Sequence, residues 1–150
     1  MKSHESLFLV LALAVFGLLS PGLAHASCIA STISGTYGFA VQGFNMRLGD
    51  PAAKSTVYAL IGTMSFHADG TVSRAFTLSL AGQILSATDS GTYTVNEDCS
   101  GTTAFRDTPF GLESFGLTIV GHGAAILFLN TTTTLLPNLG FVQSGRMEKQ

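Results

Sequence analysis

The chain has 150 residues and a formal net charge of −2, and only 11% of it is Asp, Glu, Lys or Arg, against a usual share of about 25%. That length fits one domain. The charge balance excludes the electrostatic footprint of a nucleic-acid binder, and no basic run marks a membrane-surface patch. Glycine is abundant at 17 residues and proline scarce at 4. With Thr, Ser, Val and Phe, this mix favours strands joined by glycine turns over helices.

Residues 1–26 read as a secretory signal peptide. Lys2 supplies a short positive region, Leu7 to Leu19 is an apolar run, Ser20-Pro21-Gly22 breaks it, and Ala24 and Ala26 are the small residues before a cleavage site. The run is well short of the ~20 apolar residues of a spanning helix. The mature domain is therefore expected to be 27–150, secreted or periplasmic, with no stable membrane insertion. Ala26-Ser27-Cys28 also resembles the end of a lipobox, with His25 where an aliphatic residue is usual. That alternative would anchor the protein by a lipid on Cys28 and leave Cys99 unpaired. In an oxidising compartment two cysteines most simply pair. A Cys28–Cys99 bond would close a loop of about 70 residues, worth roughly 4 kcal/mol in the chain-entropy model.

The first expected strand is Ser34 to Phe44, with Tyr37, Phe39 and Val41 on one face at period two. Asn45 to Ser55 is a loop around Gly49-Asp50-Pro51, carrying Arg47, Asp50 and Lys54. The second strand, Val57 to His67, has Tyr58, Leu60, Met64 and Phe66 as its core face. Asp69-Gly70 between two alternating runs is a hairpin signal. The third strand, Val72 to Leu80, turns Phe76, Leu78 and Leu80 inward, and Val72 and Arg74 share that parity. Near a strand end, such an arginine is expected to snorkel to solvent.

Ala81-Gly82 is a turn. Gln83 to Asp89 reads as a weaker strand, because Ile84 and Leu85 break the alternation, and Gly91 to Asn96 as another, with Tyr93 and Val95 on one face. Asn96-Glu97-Asp98 turns, Cys99 to Arg106 is extended, and Asp107-Thr108-Pro109 ends it. Leu112 to Gly121 places Phe115, Leu117 and Ile119 together. After Gly121-His122-Gly123, the stretch Ala124 to Thr134 is apolar on both faces, as in a strand covered on both sides. Pro137 to Gly140 turns and Phe141 to Met147 closes the chain. Eight or nine strands and no mature helix point to an all-β fold, a single antiparallel barrel of about eight strands. A barrel also leaves no sheet edges, which this chain has little charge to protect.

Ser34-Gly35-Thr36-Tyr37-Gly38-Phe39, Gly62 to Phe66 followed by Asp69-Gly70-Thr71-Val72, and Ser90 to Asn96 with Asp98-Cys99-Ser100-Gly101-Thr102 resemble a group of small secreted bacterial proteins of unknown function. The resemblance covers roughly residues 33–147. It implies a barrel of the allene oxide cyclase type, related in general shape to lipocalins and dirigent proteins. It supplies no positions for cyclase catalytic residues, and the lipocalin Gly-x-Trp signature is absent because the chain has no Trp.

The mature chain has two histidines, His67 and His122, each beside a turn. No His-x-x-His, Cys-x-x-Cys or Gly-x-Ser-x-Gly pattern occurs, so no metal, cofactor or catalytic residue is assigned. Glu97, Asp98, Asp107 and Glu113 lack calcium-loop spacing and read as solvated turns. If the barrel binds a ligand, the polar residues at inward positions are Tyr37, Arg74, Tyr93 and Asn130. Tyr37 and Tyr93 occupy equivalent places in a Ser-Gly-Thr-Tyr repeat and are expected to fix strand corners. Three readings follow, in order: a barrel binding a small apolar molecule, a structural or self-associating surface protein, and a cyclase- or isomerase-type enzyme.

Overall fold

The structure, a computed structural model, describes residues 27–47, 55–132 and 139–150, with the backbone alone at 46–47 and 139–141. The proposed leader 1–26, the loop residues Asp50 and Lys54, and Pro137 and Asn138 of the last expected turn lie outside them, while Leu139 and Gly140 of that turn are extended strand. Eight strands run in order: β1 Gly35–Arg47, β2 Thr56–Phe66, β3 Thr71–Leu80, β4 Gln83–Val95, β5 Ser100–Thr108, β6 Gly111–Val120, β7 Ala125–Asn130 and β8 Leu139–Lys149. Each pairs antiparallel with the next, and β1 pairs with β8, so the sheet closes into an up-and-down barrel. Closure satisfies the backbone of every strand without an edge.

Alternation decides what fills it. Tyr37, Phe39 and Val41 of β1, Tyr58, Leu60, Met64 and Phe66 of β2, and Phe115, Leu117 and Ile119 of β6 are all buried, as the period-two pattern requires. Aromatic rings form two edge-to-face chains. Phe39, Phe128, Phe115 and Phe105 follow one another with centroids 5.9 to 6.4 Å apart, and Phe66 stands between Tyr37 at 5.6 Å and Tyr93 at 5.1 Å. Such geometry sets positive ring edges on negative ring faces.

The Asp69-Gly70 hairpin forms as expected. Gly70 takes φ +85°, and Asp69 Oδ1 accepts from the Thr71 amide at 2.9 Å and its hydroxyl at 2.6 Å. Those two bonds hold the Asp69 carboxyl below the usual carboxylate range.

One end of the barrel is closed by the segment that precedes β1. Its 3-10 turn, Ala30–Ile33, buries Ile33 completely. Cys28 is bonded to Cys99 in the β4–β5 turn, and the Cys28 amide donates to Glu97 O at 3.3 Å. The sulfur of Cys28 is thus committed to Cys99, which leaves none for the lipid of the lipobox reading.

Three expectations need correction. The two short strands over Gln83–Asn96 are one 13-residue strand, β4. Ile84 faces out and Leu85 faces in, both near the rim, so their adjacency breaks no alternation. The strand over Ala124–Thr134 ends at Asn130, and its outward Leu127 and Leu129 are exposed instead of covered. Arg74 does not reach solvent: it is 4% exposed.

Candidate functional site: a buried arginine between two carboxylates

Arg74 sits midway along β3 with Val72, Phe76 and Leu78 on the same face. Its register partner across β4 is Asp89, and equal parity sends both side chains inward. Two strands further round, the inward row continues from Gly91 to Phe105 and from Phe105 to Glu113. Gly91, the inward position of β4 after Asp89, adds no side chain to that row, and Arg74 reaches across to Glu113 of β6.

Arg74 Nε donates to Asp89 Oδ1 at 3.0 Å, and Nη2 donates to Asp89 Oδ2 and to Glu113 Oε2, each at 2.6 Å. All three side chains are almost wholly buried, at 3% for Arg74, 0% for Asp89 and 7% for Glu113. Aromatic faces replace the lost hydration of the cation: the guanidinium carbon lies 4.4 Å from the Phe105 centroid, 4.7 Å from Phe76 and 5.8 Å from Phe115. Burial alone would lower the Arg74 pKa, but the bonds to Asp89 and the field of Glu113 outweigh it, so it rises and the group stays charged. One guanidinium with two carboxylates makes a formal sum of −1.

Beside this cluster, Tyr58 donates to Gln143 Oε1 at 3.1 Å. Desolvation, with the nearby charge of Glu113, pushes the Tyr58 phenol well above its usual value. Two cavities flank Arg74. One, of about 10 Å³, is bounded by Arg74, Thr103 and Gln143 and by hydrocarbon from Leu60, Met64 and Phe128, among others. The other, of about 20 Å³, lies among Tyr58, Phe76, Phe110, Glu113 and Gln143. Either has room for about one water molecule.

The four expected ligand residues are not brought together. Tyr37 and Tyr93 belong to the closed end. Tyr37 donates to Gly123 O at 2.5 Å. Tyr93 donates to His67 O at 2.6 Å, with Ala30 O 3.2 Å away. Both are strand-corner anchors. Asn130 Oδ1 accepts from the Thr132 amide at 2.9 Å at the end of β7. Of the four, only Arg74 lines either cavity.

Glu113 is not part of a solvated turn but an inward ion partner, and Asp89, which the sequence marks only as the end of a weak strand, is the other. Their signal was parity: Glu113 is in phase with Phe115 and Leu117, and Asp89 with Tyr93. No protein-family model matches the chain, and no curated protein matches it.

The cluster can hold charge and orient a polar group. His67 and His122 are exposed on turns. Asp98 is engaged in its own turn, accepting from the Ser100 amide at 2.9 Å and hydroxyl at 2.6 Å. Among the described residues no set of three His, Cys, Asp or Glu side chains is placed to hold a metal ion, and no helix is long and apolar enough to cross a membrane.

Proposed function

We propose that this is an exported, disulfide-braced barrel that acts through the outside of its wall, by association of its own copies, and not as a carrier of a small apolar molecule. The observation that supports this reading is the small room around Arg74 in the interior formed by the described residues. Cavities of about 10 and 20 Å³ stand against the ~300 Å³ or more of an ordinary ligand pocket.

The outer wall offers more. Phe44 pairs with Val57 on one side and Val142 on the other. Leu129 lies diagonal to Val142, through its pairing with Ser144. These four side chains are exposed by 36 to 70% and form an uncharged strip across β7, β8, β1 and β2. Next to it, a shallow groove of about 430 Å³ runs over Gly101 and Gly116 beside Leu127 and Leu129. A contiguous exposed apolar surface usually marks a contact. A strip without charge fits a copy of itself across a two-fold axis.

The test is sedimentation of the chain from Ser27 over a range of concentration. Dimers or larger assemblies that Val57→Glu with Leu129→Glu returns to monomers are expected. A wild-type monomer at every concentration discards the reading.

A second reading keeps the ligand inside, in line with the resemblance to allene oxide cyclase-type barrels. The buried Arg74 cluster favours it, since hydrocarbon of similar volume would stabilise a mere core as well or better. Native mass spectrometry of protein taken gently from its secretory route would show a retained adduct on that reading and a bare chain on the first.

A further inference from the structure

Thr103 is 1% exposed, and its Oγ1 has no hydrogen-bond partner among the described residues. A buried hydroxyl left unpaired is costly and therefore uncommon. Thr103 is also one of the residues around the cavity of about 10 Å³ that Arg74 and Gln143 border, a cavity otherwise walled by hydrocarbon. Arg74 gives Nε and Nη2 to the two carboxylates and Gln143 accepts from Tyr58 through Oε1; Nη1 and the Gln143 amide nitrogen are the further donors that these two lining side chains carry.

We infer that this pocket is a binding site for one hydroxyl group, that of a water molecule or of a one- or two-carbon alcohol, held between Thr103, Arg74 and Gln143. A hydroxyl compound can accept from a nitrogen donor and exchange a hydrogen bond with Thr103, whose Oγ1 is the atom of the three side chains that is buried without a partner among the described residues. A cation is disfavoured by the guanidinium. An anion is disfavoured by the two carboxylates already bonded to it. A hydrocarbon guest would leave the Thr103 hydroxyl unpaired. The volume sets the size at about one water. Met64 and Met147 in the same wall are unbranched and adaptable, and their movement is what would admit one or two carbons more. This inference deepens the interior reading, yet the site exists whether or not copies associate through the wall.

The test uses the chain from Ser27, its Thr103→Val variant, which keeps shape and removes the hydroxyl, and Thr103→Ser, which keeps the hydroxyl. Water-oxygen magnetic relaxation dispersion counts long-lived interior waters, and titration with ethanol follows the methyl signals of Met64 and Met147. One long-lived water lost in Thr103→Val and kept in Thr103→Ser identifies water as the occupant. Saturable methyl shifts that Thr103→Val abolishes identify the alcohol. No water lost and no saturable shift overturns the site, as does a melting temperature that rises in Thr103→Val, because that is the behaviour of a dry, unpaired hydroxyl. These readouts are independent of sedimentation, so failure of the site and failure of the wall reading are told apart.

Discussion

Arg74 and Asp89 face each other across β3 and β4, and their side chains meet inside the barrel in two hydrogen bonds of 3.0 and 2.6 Å. Register and ion pairing specify one another here. A slip of one residue between the two strands would turn one charge outward and strand the other among Phe76, Phe105 and Phe115. The cluster thus penalises the nearest wrong pairing in a barrel whose walls carry little other charge.

That coupling predicts an asymmetric response to mutation. Arg74→Met leaves Asp89 and Glu113 buried without their partner, and the loss expected is about 3–5 kcal/mol. Adding Asp89→Asn and Glu113→Gln removes both orphan charges and should restore most of it. Urea unfolding midpoints of the single and triple variants decide the matter. An unchanged midpoint for Arg74→Met would show that the ion cluster does not form as described.

The three tyrosines of the chain all have raised phenol pKa values, in each case chiefly by burial. A group with a raised folded pKa binds its proton longer in the folded state. Stability is therefore intact below the unfolded tyrosine value of about 10 and declines as pH rises beyond it. Phenolate absorbance at high pH should accordingly appear in one cooperative step, together with loss of the β signal in circular dichroism. A tyrosine that ionises in the folded barrel, before any unfolding, would contradict the burial found here.

How far these features could be read in the sequence follows from which force acts alone. Tyr37-x-Phe39-x-Val41 or Phe115-x-Leu117-x-Ile119 announces its face because hydrophobic burial at period two is unopposed. Glu113 and Asp89 obey the same parity, but their charge argues for solvent, and only a long-range partner reverses that preference. Arg74 is 15 residues from one carboxylate and 39 from the other, a proximity created by closure of the sheet. Leu127 and Leu129 mislead in the opposite sense. Their hydrophobicity argues for cover, while the barrel wall leaves them exposed.

The Cys28–Cys99 bond ties two positions 71 residues apart. Its removal by Cys28→Ala with Cys99→Ala releases up to about 4 kcal/mol of loop-closure restraint on the unfolded chain. The effect has a second, local part. The bond pins the segment that covers the closed end, where Ile33 is fully buried and Ala30 faces Tyr93. Amide exchange in the double variant should therefore rise first at 28–34 and at the His67 and Gly123 turns, ahead of the middle strands. Uniform acceleration throughout the barrel would show that the bond acts on the unfolded state alone.

Two glycines separate shape from backbone conformation. Gly82 lies in the β3–β4 turn at φ +81° with open space where a side chain would be. Gly82→Ala should thus lose only the cost of a left-handed alanine, about 1 kcal/mol. Gly91 has ordinary φ, but a methyl there would run into the Ala104 carbonyl oxygen and come within 3.0 Å of the Phe105 ring. Backbone cannot yield as a side-chain tip can, so Gly91→Ala forces β4 from β5 or displaces the ring on which Arg74 rests. Overpacking of this kind usually costs about 1–3 kcal/mol, and here it also disturbs the cation's aromatic support. Gly91→Ala should therefore be the more damaging change and should add little further loss when combined with Arg74→Met, because both act on the same cluster. Additive losses in the double variant would place the harm of Gly91→Ala in the β4–β5 pairing alone.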